Sequence, residues 1–222
     1  MIVLFPFEQD WYAKHNFNVV YLGHPLIELH DNFLLDYQKK SFDADYVIAL
    51  LPGSRKQELL RHLPLYRKII HELNMKNKKI HYIIRLFDYN NVDIKTALGL
   101  SGVNYSIEKE STFNAFHDCD FALVASGTAT LEGAISNTPL AVIYKTSWLS
   151  WIIARLFLRV PFISIINILN KTKLVEEFLQ HEANPKHIAS YIIKHIENPQ
   201  SGAFDYSSIR SVLYQQNIYQ NA

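Results

Sequence analysis

The stretch that decides the fold reads Phe121-Ala122-Leu123-Val124-Ala125-Ser126-Gly127-Thr128-Ala129-Thr130-Leu131-Glu132. Five apolar residues that suit a β-strand pass through a Ser-Gly turn into a sequence of helical character. An apolar strand that enters a helix through such a turn is typical of one βα unit in a parallel sheet. The turn then lies at the carboxyl end of its strand, which is where open α/β sheets bind ligands.

The same alternation of short apolar runs and helical stretches covers most of the chain. Strands are predicted over Val19–Leu22, Tyr46–Leu51, Ile80–Leu86, Asn104–Ile107, Phe121–Ala125 and Leu140–Tyr144. Helices are predicted over 56–73, with a break at Pro64, and over 91–99, 112–117, 128–135, 147–158, 174–179, 185–196 and 207–219. The predicted fold class is therefore α/β, with a Rossmann-like parallel sheet.

Composition excludes several classes of protein. The 222 residues are 49% hydrophobic, which is ample for a buried core, and 22 Lys and Arg against 21 Asp and Glu leave a net charge of +1. That balance argues against a disordered chain and against a polybasic nucleic-acid binder. The one cysteine, Cys119, excludes a disulfide framework and a cysteine-based metal site, and we expect it in the core. The composition predicts a soluble, intracellular, globular protein.

A second strand–turn–helix sequence reads Leu50-Leu51-Pro52-Gly53-Ser54-Arg55. A Gly-Ser turn at a helix start exposes backbone N–H groups that suit an anion, and Arg55 adds a planar cation fit for phosphate. The alternative is an ordinary strand–helix turn with a solvated arginine.

The segment after Ala125 allows a more specific hypothesis. Ser126 and Thr128 offer capping hydroxyls, and Gly127 allows a ligand to approach the backbone closely. Glu132 follows Thr128 by one helical turn and shares its face. A nucleotide fits this pattern, with its diphosphate on the N–H groups and its ribose on the carboxylate. A simple N-cap with an acid that favours the helix dipole explains the pattern equally well.

Two other features carry weaker signals. The ten histidines are scattered, and His24, in the turn Gly23-His24-Pro25, is more often a structural residue than a ligand at such a position. The segment from Trp148 to Arg159 suits an amphipathic helix at a lipid interface or near an acyl chain, and it suits a buried helix just as well. Because Arg155, Arg159 and Pro161 interrupt this region, it does not predict a transmembrane helix.

Taken in order, the sequence blocks resemble the C-terminal half of the lipid-A-disaccharide synthases, a family of two-domain GT-B glycosyltransferases. The blocks are Leu4-Phe5-Pro6-Phe7-Glu8, Gly23-His24-Pro25, Leu51-Pro52-Gly53-Ser54-Arg55-Lys56-Gln57-Glu58, Ala125-Ser126-Gly127-Thr128-Ala129-Thr130-Leu131-Glu132, Val160-Pro161-Phe162, Asn167-Ile168-Leu169 and Glu177-Phe178-Leu179-Gln180. The sequence departs from the family at Asn170-Lys171-Thr172-Lys173, where Ala-Gly-Arg-Glu is usual.

The resemblance implies a reaction and a set of partners. Such enzymes transfer a sugar from UDP-2,3-diacylglucosamine to the lipid acceptor 2,3-diacylglucosamine 1-phosphate, and they release UDP. No metal, organic cofactor or nucleic acid is expected. The expected location is the cytoplasm of a Gram-negative bacterium, with peripheral contact to the inner membrane through Trp148–Phe157.

The resemblance also implies site residues. It places Ser54 and Arg55 at the donor diphosphate, and Ser126, Gly127 and Thr128 at the phosphates of the helix start. Glu132 is expected at the ribose, and Asn167 and Gln180 at polar positions that face the cleft. The catalytic base is expected in the N-terminal acceptor domain, outside this sequence.

The implied domains are residues 1–22 as the last strand and helix of that acceptor domain with the hinge, 23–200 as the UDP-sugar-binding domain, and 201–222 as a closing helix. The acceptor domain could be a separate polypeptide. Two other functions stay open at this point, a UDP-sugar epimerase of GT-B fold and a non-catalytic nucleotide-binding remnant.

Overall fold

A computed structural model describes residues 1–86, 93–145, 162–199 and 204–214. The first elements, β1 (Ile2–Val3), α1 (Pro6–Ala13) and β2 (Val20–Tyr21), form a small unit in which the two strands pair in parallel. This two-stranded sheet is separate from the main sheet. Helix α2 (Pro25–Asp36) connects the two.

The main sheet has six parallel strands. They are β3 (Tyr46–Leu51), β4 (Ile80–Arg85), β5 (Asn104–Glu108), β6 (Phe121–Ala125), β7 (Leu140–Tyr144) and β8 (Glu176–Leu179), in the order β5-β4-β3-β6-β7-β8. The described helices that follow are α3 (Lys56–Asn74), α4 (Ile94–Leu98), α5 (Thr112–His117), α6 (Thr128–Ile135), α7 (Ile165–Asn170), α8 (Pro185–Glu197) and α9 (Ser207–Leu213). This order is the doubly wound order, so the predicted α/β class and parallel sheet are confirmed.

Burial on both faces explains why the central strands are uniformly apolar. In β3, Ile48 and Leu50 face the core shared with α3 and α8, whereas Ala49 and Leu51 face the core shared with α5, α6 and α9. Successive side chains of a strand point to opposite faces, so a strand covered on both sides needs apolar residues at every position. Cys119 is buried in the second of these cores, as the sequence predicted.

The break predicted at Pro64 is wrong, because α3 is continuous from Lys56 to Asn74. Proline removes the hydrogen bond to the carbonyl four residues earlier, here that of Leu60. Leu60 is exposed, so water can bind this carbonyl. The opposite face of α3 buries Leu63, Tyr66 and Ile70 against the sheet, and this packing keeps the helix in one piece.

The helix predicted over 174–179 is also wrong, because this segment forms the edge strand β8. Its residues pair in parallel with β7 from Ala141↔Glu176 to Tyr144↔Leu179. Tertiary pairing therefore overrides the local preference of a Leu- and Glu-rich segment for helix. The last predicted helix is shorter than expected, since α9 ends at Leu213 and Tyr214 is extended.

Some predictions lie outside the described residues. They are the helix predicted over 147–158, the first two residues of the helix predicted over 91–99, and the last residues of the helix predicted over 207–219. In the parts of the chain that the structure describes, no helix has the length and apolar character needed to cross a bilayer.

The departure at Asn170–Lys173 has a structural counterpart. Lys171 ends α7 with φ 59°, in the left-handed region that glycine adopts without steric cost. Lysine at this position carries a small backbone strain that glycine would avoid.

Candidate functional site

The site lies where the order of strands in the sheet reverses, between β3 and β6. These strands pair in register through Leu50↔Leu123 and Leu51↔Val124, so the residues that follow each of them meet. A cavity of about 80 Å³ opens there, lined by Leu51, Gly53, Ser54, Glu58, Arg85, Ala125, Ser126, Gly127, Thr128, Ala129 and Glu132. Pockets for whole small molecules measure roughly 300–1,000 Å³, so this cavity can hold one group of a larger ligand.

A larger space, of about 660 Å³, lies elsewhere, between α3, α4 and the start of α8. None of the predicted site residues lines it.

The turn after β3 requires glycine. Gly53 has φ 112°, and a Cβ there would lie 2.8 Å from the Oε2 atom of Glu58. Glu58 in turn accepts a hydrogen bond from the backbone N–H of Arg55 at 3.4 Å, which caps the start of α3. Close packing of the turn against Glu58 therefore brings the backbone of residues 53–55 to the cavity.

The buried imidazole of His62 also holds this turn. Its Nδ1 lies 2.7 Å from the carbonyl oxygen of Pro52, and its Nε2 accepts the backbone N–H of Lys145 at 3.3 Å. These partners fix the tautomer, because a carbonyl can only accept and an N–H can only donate. Burial lowers the pKa of His62, which keeps the ring neutral. His62 thereby ties the turn after β3 to the end of β7.

The start of α6 has no side-chain cap, contrary to the expectation for Ser126 and Thr128. Gly127 is the N-cap residue, and no side chain accepts a hydrogen bond from the first turn. The backbone N–H of Ser126 donates to Ile143 of β7 at 2.9 Å, so Ser126 continues the sheet. Within this turn the backbone N–H of Thr130 donates to the carbonyl of Gly127 at 3.2 Å, whereas the N–H groups of Thr128 and Ala129, two residues that line the cavity, precede the first helical hydrogen bonds. An anion is the natural partner for such a helix start.

Gly127 leaves open space at this helix start. A Cβ built on Gly127 meets no atom within 4 Å, and its extended backbone is available to any residue. The fold therefore does not require glycine here, in contrast to Gly53.

Of the remaining predicted residues, Ser54 and Thr128 line the cavity with exposed side chains. Arg55 lies beside the cavity, and its side chain is 84% exposed and pairs with Glu58 at 3.3 Å. An exposed pair of this kind contributes about 0–1 kcal/mol, so the guanidinium can leave it for a stronger anion at little cost.

Glu132 lines the cavity from the first turns of α6. Burial raises the pKa of its carboxyl group, and a side-chain hydrogen bond with Thr112 and the charge of Arg85 oppose that rise. A carboxylate in this position can accept hydrogen bonds from the hydroxyl groups of a bound ligand.

Asn167 does not reach the cavity. It is fully buried, and its Nδ2 donates to the carbonyl of Val175 at 3.0 Å and to Glu177 at 2.7 Å. Its Oδ1 accepts the backbone N–H groups of Leu174 at 2.7 Å and Val175 at 3.0 Å. The side chain therefore connects α7 to the segment that enters β8, and its polar atoms are used within the protein.

Gln180 follows β8 directly and lies at the same edge of the sheet, but it does not line the cavity. Its φ of 47° is in the left-handed region. His24 is the N-cap of α2, where its Nδ1 accepts the backbone N–H of Leu26 at 3.2 Å. This confirms the structural interpretation of His24.

Three residues at or beside the site were not predicted from the sequence: Glu58 and Arg85, which line the cavity, and His62, which holds the turn after β3. Arg85 carried a readable signal, because a charged residue ends an otherwise apolar strand at the edge where ligands bind. Glu58 and His62 follow Arg55 on α3, but their contacts to residues 52–55 depend on how the turn folds back, which periodicity does not reveal.

Comparison with known proteins gives a consistent picture at the level of sequence. A sequence model of the family described as lipid-A-disaccharide synthetase matches residues 1–221. Lipid-A-disaccharide synthase 1 of Legionella pneumophila (strain Paris) is 31% identical over 204 residues, which are 90% of this chain and 53% of that protein. The synthase of Rickettsia prowazekii (strain Madrid E) is 31% identical over 205 residues, 90% of this chain and 54% of that protein. The chain thus spans about half the length of the curated relatives it matches.

Solved structures share the fold at low identity. A putative UDP-N-acetylglucosamine 2-epimerase from Listeria monocytogenes superposes with a TM-score of 0.61 at 11% identity, over 92% of this chain and 53% of that one. The UDP-GlcNAc 2-epimerase from Neisseria meningitidis, bound to UDP-GlcNAc, gives 0.54 at 15% identity, over 98% and 56%. These superpositions establish the GT-B type of fold. Because the sequence identities are so low, they give the epimerase alternative no advantage over the synthase. On the sequence evidence, the chain belongs to the lipid-A-disaccharide synthetase family.

Proposed function

We propose that this chain provides the donor-binding half of a lipid-A-disaccharide synthase. The reaction is glycosyl transfer from UDP-2,3-diacylglucosamine to 2,3-diacylglucosamine 1-phosphate, which yields the tetraacyl disaccharide 1-phosphate and UDP. The observation that carries the proposal is the meeting of two strand–helix turns, after β3 and β6, around one cavity at the switch point of the sheet. Membership of the family supports the choice of reaction.

The role proposed for the first turn of α6 is to bind the diphosphate of the donor. Its N–H groups and the helix dipole favour a negative charge, and Gly127 leaves room for a phosphate to approach them. Arg55 can add a charge-assisted hydrogen bond from the rim. As the bond from the sugar to UDP breaks, negative charge grows on the diphosphate, and donors fixed in advance stabilise that charge.

The role proposed for Glu132 is to accept the hydroxyl groups of the ribose. Its place at the cavity, about one helical turn from Thr128, is compatible with a diphosphate at the helix start and a ribose further in.

We propose that the acceptor site and the catalytic base lie in a second domain, on the same or another polypeptide, and that residues 1–22 belong to it. Supporting this, β1 and β2 form a separate sheet whose Ile2 and Val20 are exposed, as are Trp11 and Phe17 next to it. Apolar residues exposed together commonly mark a surface that packs against a partner.

Substitution of the two charged residues tests the donor site. We expect Arg55→Ala and Glu132→Ala each to weaken UDP binding by about 1–3 kcal/mol, the range for loss of a hydrogen-bond partner with a charged group. Isothermal titration calorimetry with UDP measures the change. Arg61→Ala is the matched control, since Arg61 is an exposed arginine of the same helix that does not line the cavity.

Unchanged UDP affinity in both variants would contradict the proposed site. A second experiment supplies the chain with a complete acceptor half from a relative and with both lipid substrates. UDP binding without transfer of the sugar would then favour the non-catalytic remnant over the enzyme.

We also propose contact with the membrane surface through the sequence from Trp148 to Phe157, which lies outside the described residues. Its two tryptophans and its apolar residues are typical of an interfacial helix. We expect the chain to sediment with vesicles rich in anionic phospholipid at low salt, and the double substitution Trp148→Ala, Trp151→Ala to reduce the bound fraction. A chain that stays in the supernatant at low salt would contradict this proposal.

A further inference from the structure

Arg85 is a buried arginine at the cavity wall, and the proposed chemistry so far gives it no role. It ends β4, is only 6% exposed, and lines the cavity together with Glu132. Burial of a charged side chain is costly unless its charge and its donors are matched. An arginine that a protein keeps buried next to a ligand cavity therefore calls for an explanation.

The contacts of Arg85 fix its guanidinium group. Nη1 donates to the backbone carbonyl of Leu86 at 2.6 Å and to that of Glu108 at 3.3 Å. Nε donates to the hydroxyl oxygen of Thr112 at 3.3 Å. Two of these acceptors are backbone carbonyls, one from the residue that follows Arg85 and one from the end of β5, so the backbone at this edge of the sheet orients the guanidinium.

The contact with Thr112 determines what its hydroxyl group can do. A hydroxyl oxygen that already accepts from Arg85 still has its own hydrogen to donate. The acceptor is Glu132, whose carboxyl group has a side-chain hydrogen bond with Thr112. Arg85, Thr112 and Glu132 thus form a chain across β4, α5 and α6.

Glu108 is the other carboxylate near Arg85, and it is already engaged. Its carboxylate accepts Lys40 Nζ at 3.2 Å and the backbone N–H groups of Glu110 and Ser111 at 2.8 and 3.2 Å. The Glu108 carboxylate is therefore held next to Lys40. The charges of Glu108 and Glu132 both act on Arg85, that of Glu108 more strongly, and of these two carboxylates Glu132 is the one that lines the cavity.

We infer that Arg85 is a positioning residue, which through Thr112 holds the Glu132 carboxylate in the orientation and charge state that accept the ribose hydroxyls of the donor. This inference rests on the proposed donor site. Loss of Arg85 removes the nearest balancing cation and releases Thr112, so Glu132 becomes easier to protonate and freer to turn away.

The charged and polar groups near the Glu132 carboxylate determine the expected pH dependence. Arg85 from β4 and Thr112 from α5 act on it directly, Glu58 from α3 lines the same cavity, and Glu108 from β5 acts on the charge of Arg85. A nearby cation lowers the pKa of a carboxyl group, and removal of the cation raises it. Affinity that depends on the ionised carboxylate is present above the pKa of Glu132 and is lost as the pH falls through it. Without Arg85, that loss occurs at higher pH.

The test is calorimetric titration of the whole chain with UDP between pH 5.5 and 8.5. We expect Arg85→Met to move the midpoint of the affinity loss upward by about one pH unit or more, so that UDP binds about threefold more weakly midway between the two midpoints and about tenfold more weakly below both. UDP itself gains a proton near pH 6. The Glu132→Gln protein has no carboxyl group to titrate at position 132, so the pH dependence of its UDP affinity gives the contribution of UDP itself. That contribution is subtracted from the pH dependence of the other proteins.

Two further variants separate positioning from general disruption. Thr112→Val keeps the arginine and removes the hydroxyl link, so we expect a smaller upward shift of the midpoint. Lys40→Met removes the exposed cation paired with Glu108 and is expected to leave the midpoint unchanged. Thermal melts monitor folding of each variant, and Thr112→Val provides the test if Arg85→Met does not fold.

The outcomes are distinct. A shifted midpoint in Arg85→Met, absent when the same change is made in the Glu132→Gln protein, supports the inference. If Arg85→Met weakens UDP binding equally in the unmodified chain and in the Glu132→Gln protein, and the midpoint does not move, the inference about Arg85 is overturned. The proposed donor site is not affected by that result. Absence of UDP binding by the unmodified chain overturns the proposed function, and the role of Arg85 with it.

Discussion

Replacement of Asn167 by leucine is expected to reduce the free energy of unfolding by about 3 kcal/mol or more. Leucine keeps the branching and the number of side-chain heavy atoms but removes all four hydrogen bonds of this buried side chain, which leaves the N–H groups of Leu174 and Val175 and the carbonyl of Val175 without their partner. Each buried polar group left unpaired costs about 1–3 kcal/mol. Urea unfolding followed by circular dichroism measures the loss.

Asn170→Ala provides the matched control in the same helix. Asn170 is more accessible, and its side chain bonds to Thr172 and Ser208 at the surface, so we expect a loss below about 1 kcal/mol. Equal stability of Asn167→Leu and the unmodified chain would contradict the structural role of Asn167. UDP affinity lost in a fully stable Asn167→Leu protein would return the residue to the donor site that the resemblance implied.

Replacement of Gly127 by valine is expected to weaken UDP binding at least about a hundredfold, or about 3 kcal/mol, with little effect on the fold. Apart from the chain neighbours of Gly127, no atom of the described residues lies within 4 Å of the added Cβ, and the extended backbone accepts any residue. The branched side chain therefore occupies the space through which the diphosphate would reach the helix N–H groups. Loss of two hydrogen bonds to a charged ligand accounts for the magnitude.

Valine at position 127 also makes a weaker N-cap for α6 than glycine does, and Asn184→Ala is the control for that effect. Asn184 caps α8 through the N–H groups of Lys186 and His187, far from the cavity, and its loss costs about 1 kcal/mol of stability. We expect that variant to bind UDP normally. Valine at 127 with unchanged UDP affinity would show that the start of α6 does not bind the diphosphate.

The main sheet was predictable because its strands are buried on both faces. An uninterrupted apolar run between polar turns allows few other positions for the ends of a strand. Three strands accordingly have the predicted bounds: Tyr46–Leu51, Phe121–Ala125 and Leu140–Tyr144. The resemblance, and not the strand pattern, assigned Ser54, Ser126, Gly127, Thr128 and Glu132 to one donor site. In the structure these residues line one cavity, because β3 and β6 are adjacent parallel strands that end at one edge.

The errors arose where long-range contacts determine the local structure. The segment ending in Leu179 is a strand because it pairs with β7 and because Asn167, seven residues before Leu174, binds the backbone that enters it. Pro64 is accommodated because its helix packs firmly on the sheet. Neither contact can be read from neighbouring residues.

The buried polar residues were the hardest to interpret from sequence. Asn167 was assigned to the cleft by resemblance, yet its side-chain amide serves the protein's own backbone. Arg85 was read as part of an apolar strand, yet it lines the cavity. A polar residue in an apolar context signals that some partner exists, and only the three-dimensional arrangement identifies that partner.

The central claim is that the turns after β3 and β6 form a donor nucleotide site within this chain, and calorimetric titration of the purified chain with UDP tests it most directly. We expect saturable binding with a Kd between roughly 1 μM and 1 mM, a binding free energy of about −8 to −4 kcal/mol. Absence of binding up to millimolar UDP would contradict a donor site in this chain.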